Sequence, residues 1–201
     1  MNRDECLDII KGLDTHTKRI NFVNKYLFHG IPHVFMNKEN EYFEFRNRIA
    51  NKFKISFHEV FIVGSGKLGF SYHKNKLFDY NSDIDVVIVN ENLFEDFYSK
   101  ISDYQYKLDK SYKTISSDER SRYYEFMRYL IKGWMRPDKL PTSFQIDLLK
   151  TEWFDFFESI SYEKSEVGDY KVSAGLFKNH SYLQKYYVQG VENTHRILAE
   201  I

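Results

Sequence analysis

Two aspartates separated by one residue mark the stretch Ser82-Asp83-Ile84-Asp85-Val86-Val87-Ile88-Val89. In an extended chain, Asp83, Asp85 and Val87 point to one face, and Ile84, Val86 and Ile88 to the other. Two carboxylates then stand on one side of a strand, about 6–7 Å apart along it. Like charges so placed repel unless a cation lies between them. A divalent ion held by hard oxygen ligands relieves that repulsion. A bare Asp-x-Asp also fits a solvated edge strand with two acids on its wet face. Chemistry is favoured by what comes before it: a short apolar run, Val60-Phe61-Ile62-Val63, that stops at Gly64-Ser65. Past a strand end, backbone N–H groups can cradle a triphosphate. Gly64 lets phosphate approach the backbone, and the Ser65 hydroxyl adds a donor.

Other readings of these residues fail on spacing. Gly64-Ser65-Gly66-Lys67 lacks the upstream Gly of a P-loop, and Leu68 stands where that motif needs a hydroxyl. Gly64-Ser65-Gly66 and Gly69-Phe70-Ser71 do not form a nucleophile elbow. No His-x-x-x-His spacing suggests zinc. Lys67 has two readings, a cation for a β- or γ-phosphate or a solvated loop lysine. His73, Lys74 and Lys76 lie on the long connection from Phe70 to Asn81, which reads as a mobile surface loop, with a role at the phosphates as the alternative.

The Gly-Ser turn followed by Asp-x-Asp resembles the nucleotidyltransferase superfamily typified by DNA polymerase beta. That pattern has a third acid on a later strand, and Asp147 in Ser143-Phe144-Gln145-Ile146-Asp147-Leu148-Leu149 matches it. The loop between Ser65 and Asp83 is longer than most of the superfamily uses. The long-loop variant is similar to small prokaryotic enzymes, some tied to antiphage defence, including a Hailong-type group. The resemblance implies a metal-dependent enzyme that moves a nucleoside monophosphate from an NTP or dNTP to a hydroxyl, making a nucleotide signal or oligonucleotide in antiphage defence. Two Mg²⁺ or Mn²⁺ ions would be held by Asp83, Asp85 and Asp147, also the catalytic residues. Gly64, Ser65, Lys67 and Ser82 would bind the nucleotide. It also implies a partner effector encoded nearby as one acceptor. The alternatives are nucleotidylation of a partner protein and a non-catalytic nucleotide-binding regulator.

These residues need a scaffold, and the apolar spacing supplies one. Helices are expected within residues 1–30, with a polar break around Asp14 to Thr17, and from about Glu41 to Lys54. Leu93, Phe97, Ile101, Tyr104 and Leu108 mark another, which Asn90 or Asn92 caps. Tyr123, Met127, Leu130 and Trp134 mark a fourth, opened by Ser116 to Glu119 and closed by Gly133 and Pro137. Alternation over 143–149 predicts the third strand. A short helix follows near Trp153 to Ile160, and a last one spans about Ser181 to Ala199. Its Tyr186, Tyr187 and Thr194 read as packing residues, with self-priming hydroxyls as the alternative. Helices before, between and after a few strands predict an α+β fold. It would be a polymerase beta-like core with a short mixed sheet flanked by helices, one domain over 1–201 with helical N- and C-terminal segments.

Composition narrows the function. Equal numbers of acidic and basic residues, 29 of each, argue against coating long nucleic acid by bulk charge, which runs on many phosphate contacts. A lone Cys6 gives no intrachain disulfide framework and no cysteine metal cluster. No apolar run approaches the roughly 18 residues a membrane span needs. The polar start Met1-Asn2-Arg3-Asp4-Glu5 does not read as a signal peptide, so a cytoplasmic location is the expectation. With 18 Phe and 16 Tyr, the core should be built largely from aromatic rings.

Overall fold

This computed structural model describes residues 1–74 and 76–200, and for residues 146–148 the backbone alone. The fold is α+β. In chain order come α1 (Arg3–Lys11), α2 (His16–Phe22) and a π-helical continuation (Val23–Phe28), then α3 (Glu39–Phe53), β1 (Val60–Val63) and α4 (Gly64–Leu68). A small hairpin, β2 (Phe70–Ser71) and β3 (Lys76–Leu77), precedes β4 (Ile84–Val89). Then follow α5 (Glu91–Asp109), α6 (Ser117–Ile131), β5 (Trp134–Met135), α7 (Thr142–Phe144), a π-helix (Gln145–Phe154), α8 (Asp155–Ser159), β6 (Val172–Phe177) and α9 (His180–Ala199).

Local chemistry explains most of these boundaries. Asn2 and Glu5 form a reciprocal capping box on α1, and Ser116 and Glu119 form another on α6. The second Glu119 oxygen accepts from the Thr142 amide at 2.8 Å, so the start of α6 also fixes the entry to α7. The Asn90 side chain accepts from the Leu93 amide at 2.8 Å and starts α5 directly after β4. Trp134, expected at the end of α6, instead opens β5, because Gly133 at φ +69° ends the helix first.

The main sheet has four strands in the order β1-β4-β6-β5. β1 and β5 run antiparallel to their neighbours, while β4 and β6 run parallel. β4 is therefore interior, which removes the reading of Asp83 and Asp85 as acids on an exposed sheet edge. One face of the sheet presents Val60, Ile62, Ile84, Val86, Ile88, Val172 and Leu176 to the larger core, with α3, α5 and α6. Phe45, Phe126 and Phe144 are fully buried there, each contributing about 1.5–3 kcal/mol. The other face presents Val63, Val87, Val89 and Phe177 to α9. Among the described residues no helix is long and apolar enough to cross a membrane.

The segment 143–149 corrects an expectation. It is helical, running from α7 into the π-helix, and the strand beside β4 is β6. The Phe144, Ile146 and Leu148 alternation also fits a helix buried on several sides, and a short apolar run cannot separate the two by period alone. Leu149 and Trp153 anchor the π-helix in the larger core, and Trp153 meets Phe53 and Phe97 there.

Candidate functional site

The site gathers where β1 ends and β4 begins. Val63 is the register partner of Asp85, so the Gly64 turn comes off β1 directly beside that carboxylate. Gly64 has φ +64°, a left-handed conformation. A Cβ placed on it would lie 2.9 Å from Asp85 Oδ2. Gly64 and Ser65 open α4, and the amides of its first turn lack intrahelical acceptors. On the other side of β4, Ser173 is the register partner of Asp85, and its hydroxyl donates to Asp85 Oδ1 at 3.5 Å. Asp85 thus sits between a glycine turn and a serine and is exposed. The protein crowding around its carboxyl pushes its pKa up, as does the neighbouring Asp83 charge. Ser173, Arg136 and Lys74 oppose that rise. Asp83 precedes β4 and is exposed.

The other expected site residues are placed differently. Lys67 is neither a free phosphate ligand nor a solvated loop lysine. It is buried, and its Nζ donates to the His29 carbonyl at 2.6 Å and the Gly30 carbonyl at 2.8 Å. Burial lowers its pKa to about 8. The Ser82 hydroxyl closes a turn: it accepts from the Asp79 amide at 3.0 Å and donates to Asp79 Oδ1 at 3.1 Å. Asp147 lies in the π-helix, and its side chain is outside the described residues. The helix that carries it is anchored in the larger core, on the sheet face opposite Asp85. Asp155 is exposed at the start of α8.

Two residues enter that the sequence reading passed over, Ser173 and Arg136, and Tyr186, read from the sequence as a packing residue, joins them. Ser173 escaped because Val172-Ser173-Ala174-Gly175-Leu176-Phe177 was not read as a strand, although Val172, Ala174 and Leu176 alternate. Arg136 follows β5; it pairs with Asp138 through both carboxylate oxygens at 3.2 and 2.8 Å and lies over the Tyr129 and Trp134 rings. Tyr186 projects from α9 against Trp134, with ring centroids 4.4 Å apart. Burial raises its pKa, Tyr129 and, more weakly, Asp85 add to the rise, and Arg136 opposes it.

The donor set fits a hard cation in part. Two carboxylates and a hydroxyl are oxygen ligands suited to Mg²⁺ or Mn²⁺, and Asp85 is held in conditions that penalise its charge. Among the described residues no group of three acidic, histidine or cysteine side chains converges as a metal site would require. Comparisons with family models, with curated proteins and with solved structures find no match to this chain.

Proposed function

We propose that the protein is a metal-dependent nucleotidyltransferase of the polymerase beta-like kind, moving a nucleoside monophosphate from an NTP or dNTP to a hydroxyl. One observation carries the reading: the Gly64 turn leaves its missing side chain's space next to Asp85, so that phosphate and carboxylate meet at one point. Divalent ions bound there would offset the Asp83–Asp85 repulsion and stabilise charge developing on the phosphorus oxygens. The first-turn amides of α4 and the Ser65 hydroxyl would orient the triphosphate. The acceptor oxygen attacks the α-phosphorus, its proton passes to a base or water, and the bond to the pyrophosphate oxygen breaks. Ser173, donating to Asp85, would hold that carboxyl in one orientation.

A second reading has its own support. The strand beside β4 carries Ser173, not an acid, opposite Asp85. A site with two carboxylates suits nucleotide binding without transfer, as in a regulator. Incubating the pure protein with each α-labelled NTP and dNTP, with Mg²⁺ or Mn²⁺, separates the two. Transfer predicts pyrophosphate release and a labelled product, both lost in Asp85→Asn. Binding without release favours the regulator, and full activity in Asp85→Asn removes the carboxylate reading. The acceptor, and a role in antiphage defence, rest on the resemblance; product size in the same assay identifies the acceptor class.

A further inference from the structure

α5 and α6 carry a second surface, on the sheet face away from Asp85. Both helices pack into the larger core, through Tyr104, Tyr123 and Phe126, while the Asp85 face meets α9. The chain between them turns back sharply. Ser111 is left-handed at φ +58°, and the Tyr112 and Lys113 amides donate to the Lys107 carbonyl at 2.9 and 3.3 Å. Between that turn and α6 lies a recess of about 320 Å³, whose walls include Gln105, Leu108, Lys113, Arg120, Tyr123 and Tyr124. Small-molecule sites span roughly 300–1,000 Å³, so the recess suits one small unit. Arg120 and Tyr124 are four residues apart on α6 and share a face.

The local charge departs from the neutrality of the whole chain. Residues 105–124 hold five cations, Lys107, Lys110, Lys113, Arg120 and Arg122, against the three acids Asp109, Asp118 and Glu119. Glu119 is occupied by the Ser116 and Thr142 amides, and Asp109 accepts from the Gln105 side chain at 2.8 Å. Arg120 makes no ion pair among the described residues. The rings divide in two. Tyr104 and Tyr123 are buried and meet with centroids 6.3 Å apart. Tyr112 is 75% exposed and Tyr124 63%, and neither pairs with another ring among the described residues. Large exposed rings beside uncommitted charge are what a folded chain ordinarily avoids. The Tyr123 hydroxyl is buried with no hydrogen-bond partner among the described residues, an unspent donor in the wall of the recess. Burial pushes its pKa up to about 12, so it stays protonated.

We propose that this recess binds single-stranded nucleic acid, one base stacking on Tyr124 while Arg120 and Lys113 receive the flanking phosphates. A single strand offers a π-face at every base and a charge at every link, and the recess matches both. A duplex keeps its base faces stacked away from such a ring. An acidic protein segment would use the cations and leave the rings without a planar partner. Tyr112 stands between Ser111 and Lys113, which both line the recess, and would take a neighbouring base. The site is separate from the Asp83–Asp85 site and does not rest on the transfer reading. A short strand also fits a chain that lacks the bulk charge to coat a long one.

The test uses the full chain in EDTA, so that binding is read without metal-dependent transfer. Fluorescence anisotropy follows labelled oligothymidylate and oligoadenylate of about ten nucleotides, within the span one such groove covers. Hydrogen exchange locates the contact. Wild type should bind both strands and gain protection within residues 105–124. Tyr124→Ala should weaken binding about tenfold, the scale of one stacked base, and Tyr124→Phe should restore it. Arg120→Gln should weaken binding and flatten the slope of log affinity against log salt by about 0.7, one phosphate contact on a single strand. Both side chains are exposed, so Tm should stay at the wild-type value in each variant. Wild-type affinity and salt slope in Tyr124→Ala and Arg120→Gln would overturn the proposal. Competition by polyglutamate or inorganic tripolyphosphate as strong as by unlabelled strand would overturn it too, by showing that charge alone is read. AMP competing as well as the strand would replace the strand by a free nucleotide. Loss of strand binding in Asp85→Asn would assign the contact to the Asp83–Asp85 site, whereas unchanged binding there supports a separate one.

Discussion

Gly64→Ala measures how closely the turn and the carboxylate share space. Two costs add at that position. The backbone at φ +64° disfavours any L side chain by about 1–2 kcal/mol, whatever stands nearby. The new Cβ, 2.9 Å from Asp85 Oδ2, also forces that carboxylate to turn, and an off-rotamer side chain costs about 0.5–1.5 kcal/mol. Together the loss is about 1.5–3.5 kcal/mol. In an Asp85→Ala background the second cost vanishes, because Asp85 Cβ would be 3.9 Å away, an ordinary contact. Gly64→Ala should then cost only about 1–2 kcal/mol. The difference, about 1 kcal/mol of coupling, is the quantity to read from urea midpoints of the four proteins of the cycle. Costs additive to within about 0.3–0.5 kcal/mol would refute the shared space, and with it the placement of phosphate beside Asp85. In the wild-type Asp85 background the same substitution should weaken nucleotide binding, because the methyl group occupies the phosphate's approach.

Other consequences follow from the same geometry. The folded-state pKa of Asp85 lies above its ordinary 3.8, so its ionised form costs stability above the folded pKa and that cost fades as pH falls towards 3.8. Asp85→Asn should therefore match or exceed the wild-type Tm at pH 7, with the gap closing on acidification; a variant markedly less stable at neutral pH contradicts this. Lys67 is lowered from 10.5 to about 8, so its penalty is complete below pH 8 and gone by 10.5. Wild type should gain stability relative to Lys67→Met across that window, although the variant is less stable at neutral pH because the His29 and Gly30 carbonyls lose their donor. A flat difference curve in urea titrations would show that the ammonium is not buried as described. Ser173→Asp places a third carboxylate against Asp85. It should lower Tm without metal and show a larger Mg²⁺-induced rise in Tm than wild type; an Mg²⁺ response equal to wild type would place the cation elsewhere.

Several features were determined by the sequence alone because they are set locally. The helix spans follow the apolar spacing, and the starts at Asn90 and Ser116 follow from side chains that reach amides three residues on. Alternation put Ile84, Val86 and Ile88 on one buried face, and they are buried; that Val87 and Val89, on the face of Asp85, are buried as well follows only from the packing of α9. Gly64 was expected to open the backbone to phosphate for lack of a side chain; its left-handed conformation at φ +64° is a finding of the structure. Tertiary structure decided what lies next to what. Lys67 follows the Gly64 turn closely in sequence, yet only packing determines that it is locked onto the carbonyls of residues 29 and 30. The apolar run around Asp147 fitted a strand or a helix equally by period. It is a helix, and the place beside β4 is held by β6, which comes later in the chain. Ser173 faces Asp85 only through that parallel register, a contact 88 residues apart that no local pattern encodes. His73, between β2 and β3, is held on Thr194, 121 residues away, and loop composition carries no trace of so distant a partner.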